Sequence, residues 1–385
     1  MKNILLSLGI ISLPMTGVFE PFDQISISFL IFSIIFFCSI WSEKFKTSNI
    51  IIAIFFSSVC IFYTLYNPSI SGFKYTIGII VLPIIYTYSG FKIANLPNNI
   101  FYNAIIVGLI LSNIFIIYEF TTKNFFPDLF IELPRKDEIE NYNPYFISKY
   151  IRARGFAEES GHMCLTYELF LPIILSSNHF AKLNLPKKIL IVASSFVAII
   201  FTFSPISISF LILVIFLIFS SRKKYNIILF SIFSFILFNI FKLYFIEIYN
   251  GFIIKIADSS SRNDRLERLS YVYNNFDEFL FGIGPMKISN YFSNLDSSLN
   301  LYLDVFIAYG PLILILLLFI VFRSWFYAFK IDRYGLLISL VIVSLHYIII
   351  HNFWYPFLWI LIGITYNRYN LFIALKNENS HSFNK

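Results

Sequence analysis

Charge is scarce in this sequence. Only 13% of its residues are charged, against 58% hydrophobic, where soluble domains carry about 25% and about 45–50%. Both departures exclude a chain whose main solvent is water. Cysteine is scarce as well. Cys38, Cys60 and Cys164 are odd in number and lie in or beside apolar runs, which excludes a disulfide framework or a zinc site. There is no HExxH pattern and no GxGxxG or Walker loop, so neither a catalytic metal nor a nucleotide cofactor is expected. The net charge of +7 does not argue for nucleic acid, because basic excess in a membrane protein marks cytoplasmic loops.

What the sequence has is apolar length. Uncharged runs of about 18 residues or more recur, and each reads as a membrane-spanning helix. Barrel strands would alternate apolar and polar residues, and runs such as Ile189–Ile200 and Pro311–Phe322 do not. The expected fold is all-α, a polytopic bundle of about twelve helices near residues 4–18, 24–41, 49–66, 74–91, 100–118, 161–178, 188–203, 206–220, 226–244, 298–322, 335–351 and 354–372. The N-terminal run has no small-x-small cleavage site and reads as an uncleaved first helix.

The short loops orient this bundle. With a cytoplasmic N-terminus, the inside segments hold Lys44, Lys46, Lys92, Lys187, Lys188, Arg222, Lys223, Arg323 and Arg368, while the short outside loops hold only Lys74. That is the positive-inside pattern. It persists past Pro205 only if two helices meet there, so both termini are expected in the cytoplasm. Five divisions follow: residues 1–118 with five helices, a large outer loop over 119–160, four helices over 161–244, a second large outer loop over 245–297, and 298–385 with three helices and a tail. Loops this long are usually functional.

The first loop ends in Arg152, Arg154, Glu158, Glu159 and His162. Guanidinium forks cannot lose their protons and suit a phosphate or diphosphate. A carboxylate or imidazole at the same depth could take a proton from a sugar hydroxyl. Glu158 and His162 would share a face if both were helical. The bland alternative is interfacial charge anchoring a helix among headgroups. In the second loop, Ser261 reads as an N-cap, with Arg262, Arg265 and Arg268 on one broad side. The alternative is a solvated helix whose ion pairs contribute little. Asp296 and Asn300 sit four apart before an apolar run, with Tyr302 and Asp304 beyond. A carboxylate in the membrane is functional or paired, and a helix cap with an ion pair is the alternative. Gly282 and Gly284 read as a compact re-entry turn. His351, Trp354 and Tyr355 read as an aromatic belt.

Arg152-x-x-Gly155-Phe156 with Glu159 before an apolar helix resembles the R-x-x-G-F…E-P signature of bacterial O-antigen polymerases and related polysaccharide ligases. Ser160 stands where that signature has proline. The Ser204 turn, the run from Ser261-Arg262 to Phe281-Gly-Ile-Gly284, and Asn300 to Tyr309-Gly310 are similar to the same superfamily. The resemblance implies a GT-C-like, metal-independent glycosyltransferase of the bacterial inner membrane, working at the periplasmic face on oligosaccharides carried by undecaprenyl diphosphate. Its further partners would be membrane lipids and a chain-length regulator. It implies that Arg152, Arg154, Arg262, Arg265 and Arg268 grip diphosphate, that Asp296, Asn300 and Tyr302 help hold the glycan, and that Glu158, Glu159 or His162 orients or deprotonates the acceptor hydroxyl. A ligase to lipid A core is the nearest rival. That family usually carries a histidine in the second loop near the Asn300-like position, and Tyr244–Asn300 contains none. A lipid-linked oligosaccharide flippase is a further rival, although transporters favour internal repeats and short loops.

Overall fold

The computed structural model describes residues 2–18, 26–40, 47–133, 145–146, 150–204, 260–287, 300–331 and 334–382. Within them the regular structure is helical apart from one two-residue strand pair. The helices are α1 (Lys2–Ser12), α2 (Ile27–Ser39), α3 (Thr47–Tyr66), α4 (Ile70–Ile93), α5 (Asn98–Phe125), α6 (Ser160–Leu175), α7 (Asn178–Lys182), α8 (Leu185–Phe201), α9 (Ser260–Asn274), α10 (Phe276–Phe279), α11 (Leu301–Lys330), α12 (Tyr334–His346) and α13 (Phe357–Ser382). β1 (Tyr145–Phe146) pairs antiparallel with β2 (Tyr150–Ile151). Among the described residues α4, α5, α11 and the Phe357–Lys376 part of α13 are long and apolar enough to cross a membrane, and α1, α2, α6, α12 and Ala53–Tyr66 of α3 are shorter apolar helices. The chain is a helical membrane protein. The expected helices at 206–220 and 226–244 lie outside the described residues.

Two compact units divide the chain: Met1–Ile31 with Pro97–Ser259, and Phe32–Leu96 with Ser260–Lys385. In the first, α5 packs against α8, α1 and α6. A polar knot pins three of these helices together, because the Asn113 amide lies within hydrogen-bond distance of the Tyr167, Ser194 and Ser195 hydroxyls. In an apolar bundle such polar contacts hold helices together where the hydrophobic effect cannot.

In the second unit, α4 and α13 run parallel over a long contact. Gly90 sits against the Ile360 carbonyl, Gly363 against the Thr87 carbonyl, and the Asn367 amide donates to the Phe91 carbonyl. Small residues let two backbones approach this closely. Phe353 precedes α13 and packs on Tyr75 and Gly78. Hence α13 begins opposite the middle of α4, and the non-helical segment 347–356 lies beside the first half of α4. The hydroxyls of Thr64, Thr76 and Tyr309 form a chain joining α3, α4 and α11.

α11 is not one continuous helix. Gly310 takes φ 72° and ψ −177°, and Pro311 follows it. Pro311 has no N–H, so the helix cannot satisfy the Ile307 carbonyl. The second loop does so instead: Ile283 N donates to Ile307 O at 2.8 Å and Gly284 N to Ala308 O at 3.1 Å. Gly282 and Gly284 hold φ of 71° and 93° in this turn. A Cβ on Gly282 would meet the Ala308 carbonyl at 2.9 Å.

Candidate functional site

The first-loop residues are organised around a carboxylate that belongs to a helix. α5 continues to Phe125, past the expected end at 118, so Glu119 is a helical residue and not the start of the loop. It is 0% exposed. Its Oε2 accepts from the backbone N–H of Arg154 at 2.9 Å and of Gly155 at 2.7 Å. Its Oε1 accepts from Lys123 Nζ at 2.9 Å. One turn on, the Asn124 side chain accepts from Ile151 N and donates to Ile151 O, copying the pairing of a neighbouring strand. Ala153 N donates to Phe201 O, and Gly17 N to Phe156 O. Phe156 stacks on Phe115 with ring centroids 4.6 Å apart.

Gly155 therefore has a specific task. Its φ is +62°, and a Cβ would meet Ile116 Cγ1 at 2.9 Å and Met163 Sδ at 3.1 Å. The spacing Arg152-x-x-Gly155 places a left-handed residue where the chain turns over the buried carboxylate. Arg154 is buried, Arg152 is half-buried, and the Arg154 guanidinium donates to the Glu158 carbonyl at 3.5 Å.

α6 starts at Ser160, with Glu159 as its N-cap residue. Glu158 thus precedes the helix, so the condition under which it would share a helical face with His162 is not met. Glu158 and Glu159 are half-buried, and His162 is buried in the first turn. Arg152, Arg154, Glu158, Glu159 and His162 are all carried by this one turn and the helix that follows it.

The second-loop residues belong to the other unit. α9 begins at Ser260, so Ser261 lies inside the helix and is not its N-cap; Arg262 lies in its first turn. Arg265 is half-buried and Arg268 is 4% exposed. Arg265 Nη2 donates to the Ile349 carbonyl at 3.2 Å. The start of α11 joins the same segment, since Leu301 N lies 3.0 Å from the Tyr347 carbonyl and 2.9 Å from the Ile350 carbonyl. Asn300 is the N-cap, its Oδ1 accepting from Leu303 N at 3.1 Å. The Tyr302 hydroxyl donates to the Ser344 carbonyl at 2.9 Å. Both have structural tasks, which is the capping alternative weighed for Asn300. Asp304 is buried one turn on. Asp296 lies outside the described residues.

Two helices, α9 and α11, thus meet at residues 347–350, and they bring in His351, a residue that the sequence set beside an aromatic belt. His351 sits two residues beyond the carbonyl held by Arg265. Burial, then the charges of Arg268 and Arg265, push its pKa down from 6.5 to about 4. The imidazole is neutral at physiological pH in a positive field. Its ring meets Trp354 edge-on at 5.5 Å. Next to it, Asn352 is buried, and its Oδ1 has no hydrogen-bond partner. Chemically the cluster offers guanidinium charge for an anion and an imidazole able to accept a proton. Among the described residues no group of His, Cys, Asp and Glu could hold a metal ion. Sequence reasoning missed Glu119 and His351 as organising residues. The available signal was a titratable side chain interrupting apolar sequence.

Compared with known protein families, curated proteins and solved structures, the chain matches none.

Proposed function

We propose that this chain is a membrane glycosyltransferase that polymerises oligosaccharide repeat units at the periplasmic face of a bacterial inner membrane. The reading has about twelve helices in a GT-C-like arrangement, with both termini cytoplasmic. A hydroxyl of the acceptor repeat unit attacks the anomeric carbon of the donor glycan, and undecaprenyl diphosphate leaves with the bonding electrons. Guanidinium groups of Arg152 and Arg154, and separately those of Arg262, Arg265 and Arg268, bind the diphosphates of the lipid-linked substrates, and such cations stabilise the leaving group's developing charge. Preorganised cations are most effective in that task. Glu158, Glu159 or His162 takes the hydroxyl proton.

The observation that carries the reading is the second-loop cluster. Arg265 and Arg268 are drawn into the protein and fixed near His351 by a backbone contact and burial. A solvated loop helix would leave such side chains in water. The Glu119-anchored turn supports it, because it fixes Arg152 and Arg154 on a rigid support.

The ligase reading gains one observation. The second loop has no histidine, yet His351 lies next to Ile350, whose carbonyl holds the first residue of α11. Deletion followed by gel analysis of lipopolysaccharide separates the two. Loss of a polymerase leaves a single repeat unit on the core, and loss of a ligase leaves bare core with polymer stranded on the carrier. In the deletion strain, Arg152→Ala and Arg265→Ala are expected to fail to restore long ladders at normal protein levels. Full ladders from both variants would refute the proposal.

A further inference from the structure

α9 has three sides, and only one of them faces protein. Successive helical residues turn by about 100°, which places Arg268 and Val272 together on the protein side, both buried, with half-buried Arg265 beside them. The remaining surface splits in two. Leu266, Leu269 and Tyr273 fall within one sector and are 52%, 51% and 81% exposed. Glu267, Ser270 and Asn274 fall in the adjoining sector and are exposed too. A helix wholly in water has no reason to gather its exposed apolar side chains into one strip apart from its polar ones.

We propose that α9 lies along the water–lipid boundary of the membrane, with Leu266, Leu269 and Tyr273 seated at the junction of headgroups and acyl chains. The occupant of this face is bilayer lipid. Glu267, Ser270 and Asn274 then face water. Continuity with a membrane span singles out this occupant. Beyond Asn275, Phe276 and Phe281 remain exposed, and Phe276 stacks on Phe306 of α11 at 5.3 Å. The next residues hang on the Ile307 and Ala308 carbonyls. Farther along, α11 exposes Leu312, Ile315, Phe319 and Phe322, as a lipid-facing helix does. The apolar strip of α9 is joined to that span through exposed Phe276 and Phe281 and the stack on Phe306. Tyrosine is suited to the position, with its ring in the apolar layer and its hydroxyl in the wet one. This assignment holds whether or not the chain polymerises glycans.

The test is depth. Cys38 is exposed while Cys60 and Cys164 are buried, so a Cys38→Ser chain can carry one spin label at Leu269→Cys or at Ser270→Cys. In vesicles of phosphatidylethanolamine and phosphatidylglycerol, the label at position 269 is expected to collide with oxygen and be shielded from a water-soluble nickel chelate. The label at 270 should show the reverse. Equal nickel access at both positions would place the helix in water and overturn the proposal. A label at 269 shielded from both agents and broadened by a second label would assign the face to a second copy, and would overturn it equally. Tyr273→Cys repeats the measurement on the same strip should Leu269→Cys fail to fold.

Discussion

Glu119 shows how one side chain can set a local structure. Its two oxygens hold two backbone N–H groups and the ammonium of half-buried Lys123, while the carboxylate itself is fully buried. Glu119→Ala leaves those donors unpaired, and losing one partner of a buried charged network costs about 3–5 kcal/mol. The expected result is a clear fall in the thermal midpoint of the detergent-solubilised protein, with Glu119→Gln intermediate. The contact spans 35 residues and leaves no spacing in the sequence. A glutamate in an apolar helix could be seen to need a partner, but not that the partner was backbone. His351 was hidden for the same reason, since its neighbours Arg265 and Arg268 come from the loop helix α9. Its pKa yields a pH prediction. Between about 4 and 6.5 the unfolded chain binds a proton that the folded chain does not. Stability therefore falls as pH drops through that window, by at most about 1.4 kcal/mol per pH unit. Replacing His351 with Gln is expected to flatten the dependence of the thermal midpoint on pH over that range.

Among the elements, helix existence was legible and helix ends were not. Apolar runs located the starts of α3, α4, α5 and α11 within four residues, while α5 and α11 run well past their expected ends. They could not show that α5 continues through Glu119, because a charged residue can sit inside a helix when a partner waits for it, whereas the start of α6 at Ser160 lies within one residue of the expected 161. The run over 298–322 also gives no measure of how completely α11 breaks, although Tyr309-Gly310 belongs to the motifs that carry the resemblance. The break is stabilised from outside by the turn at Gly282–Gly284, so that turn should be sensitive to an added methyl. Gly282→Ala forces a side chain toward the Ala308 carbonyl at a φ unfavourable to L-residues, at about 1–3 kcal/mol. Gly161→Ala, with only Ser204 Oγ at 3.9 Å, is expected to leave the thermal midpoint nearly unchanged and so serves as the control.

For the whole molecule, composition alone pointed to the membrane environment, and four candidate spans among the described residues agree with it. Orientation rests on the lysine asymmetry of the short loops and yields its own prediction. In intact cells lacking an outer-membrane barrier, a membrane-impermeant maleimide is expected to label Lys74→Cys but not Lys187→Cys. Labelling confined to Lys187→Cys would invert the topology and move both large loops to the cytoplasm.

The Gly310–Pro311 break ties two variables into one. Ile283 and Gly284 are fastened to the Ile307 and Ala308 carbonyls at the break, so the rotational setting of that helix and the seating of the second loop cannot change separately. A single residue inserted between Leu301 and Ile307 would swing these two carbonyls away by more than a quarter-turn. The loop would lose its moorings while the apolar span kept its length.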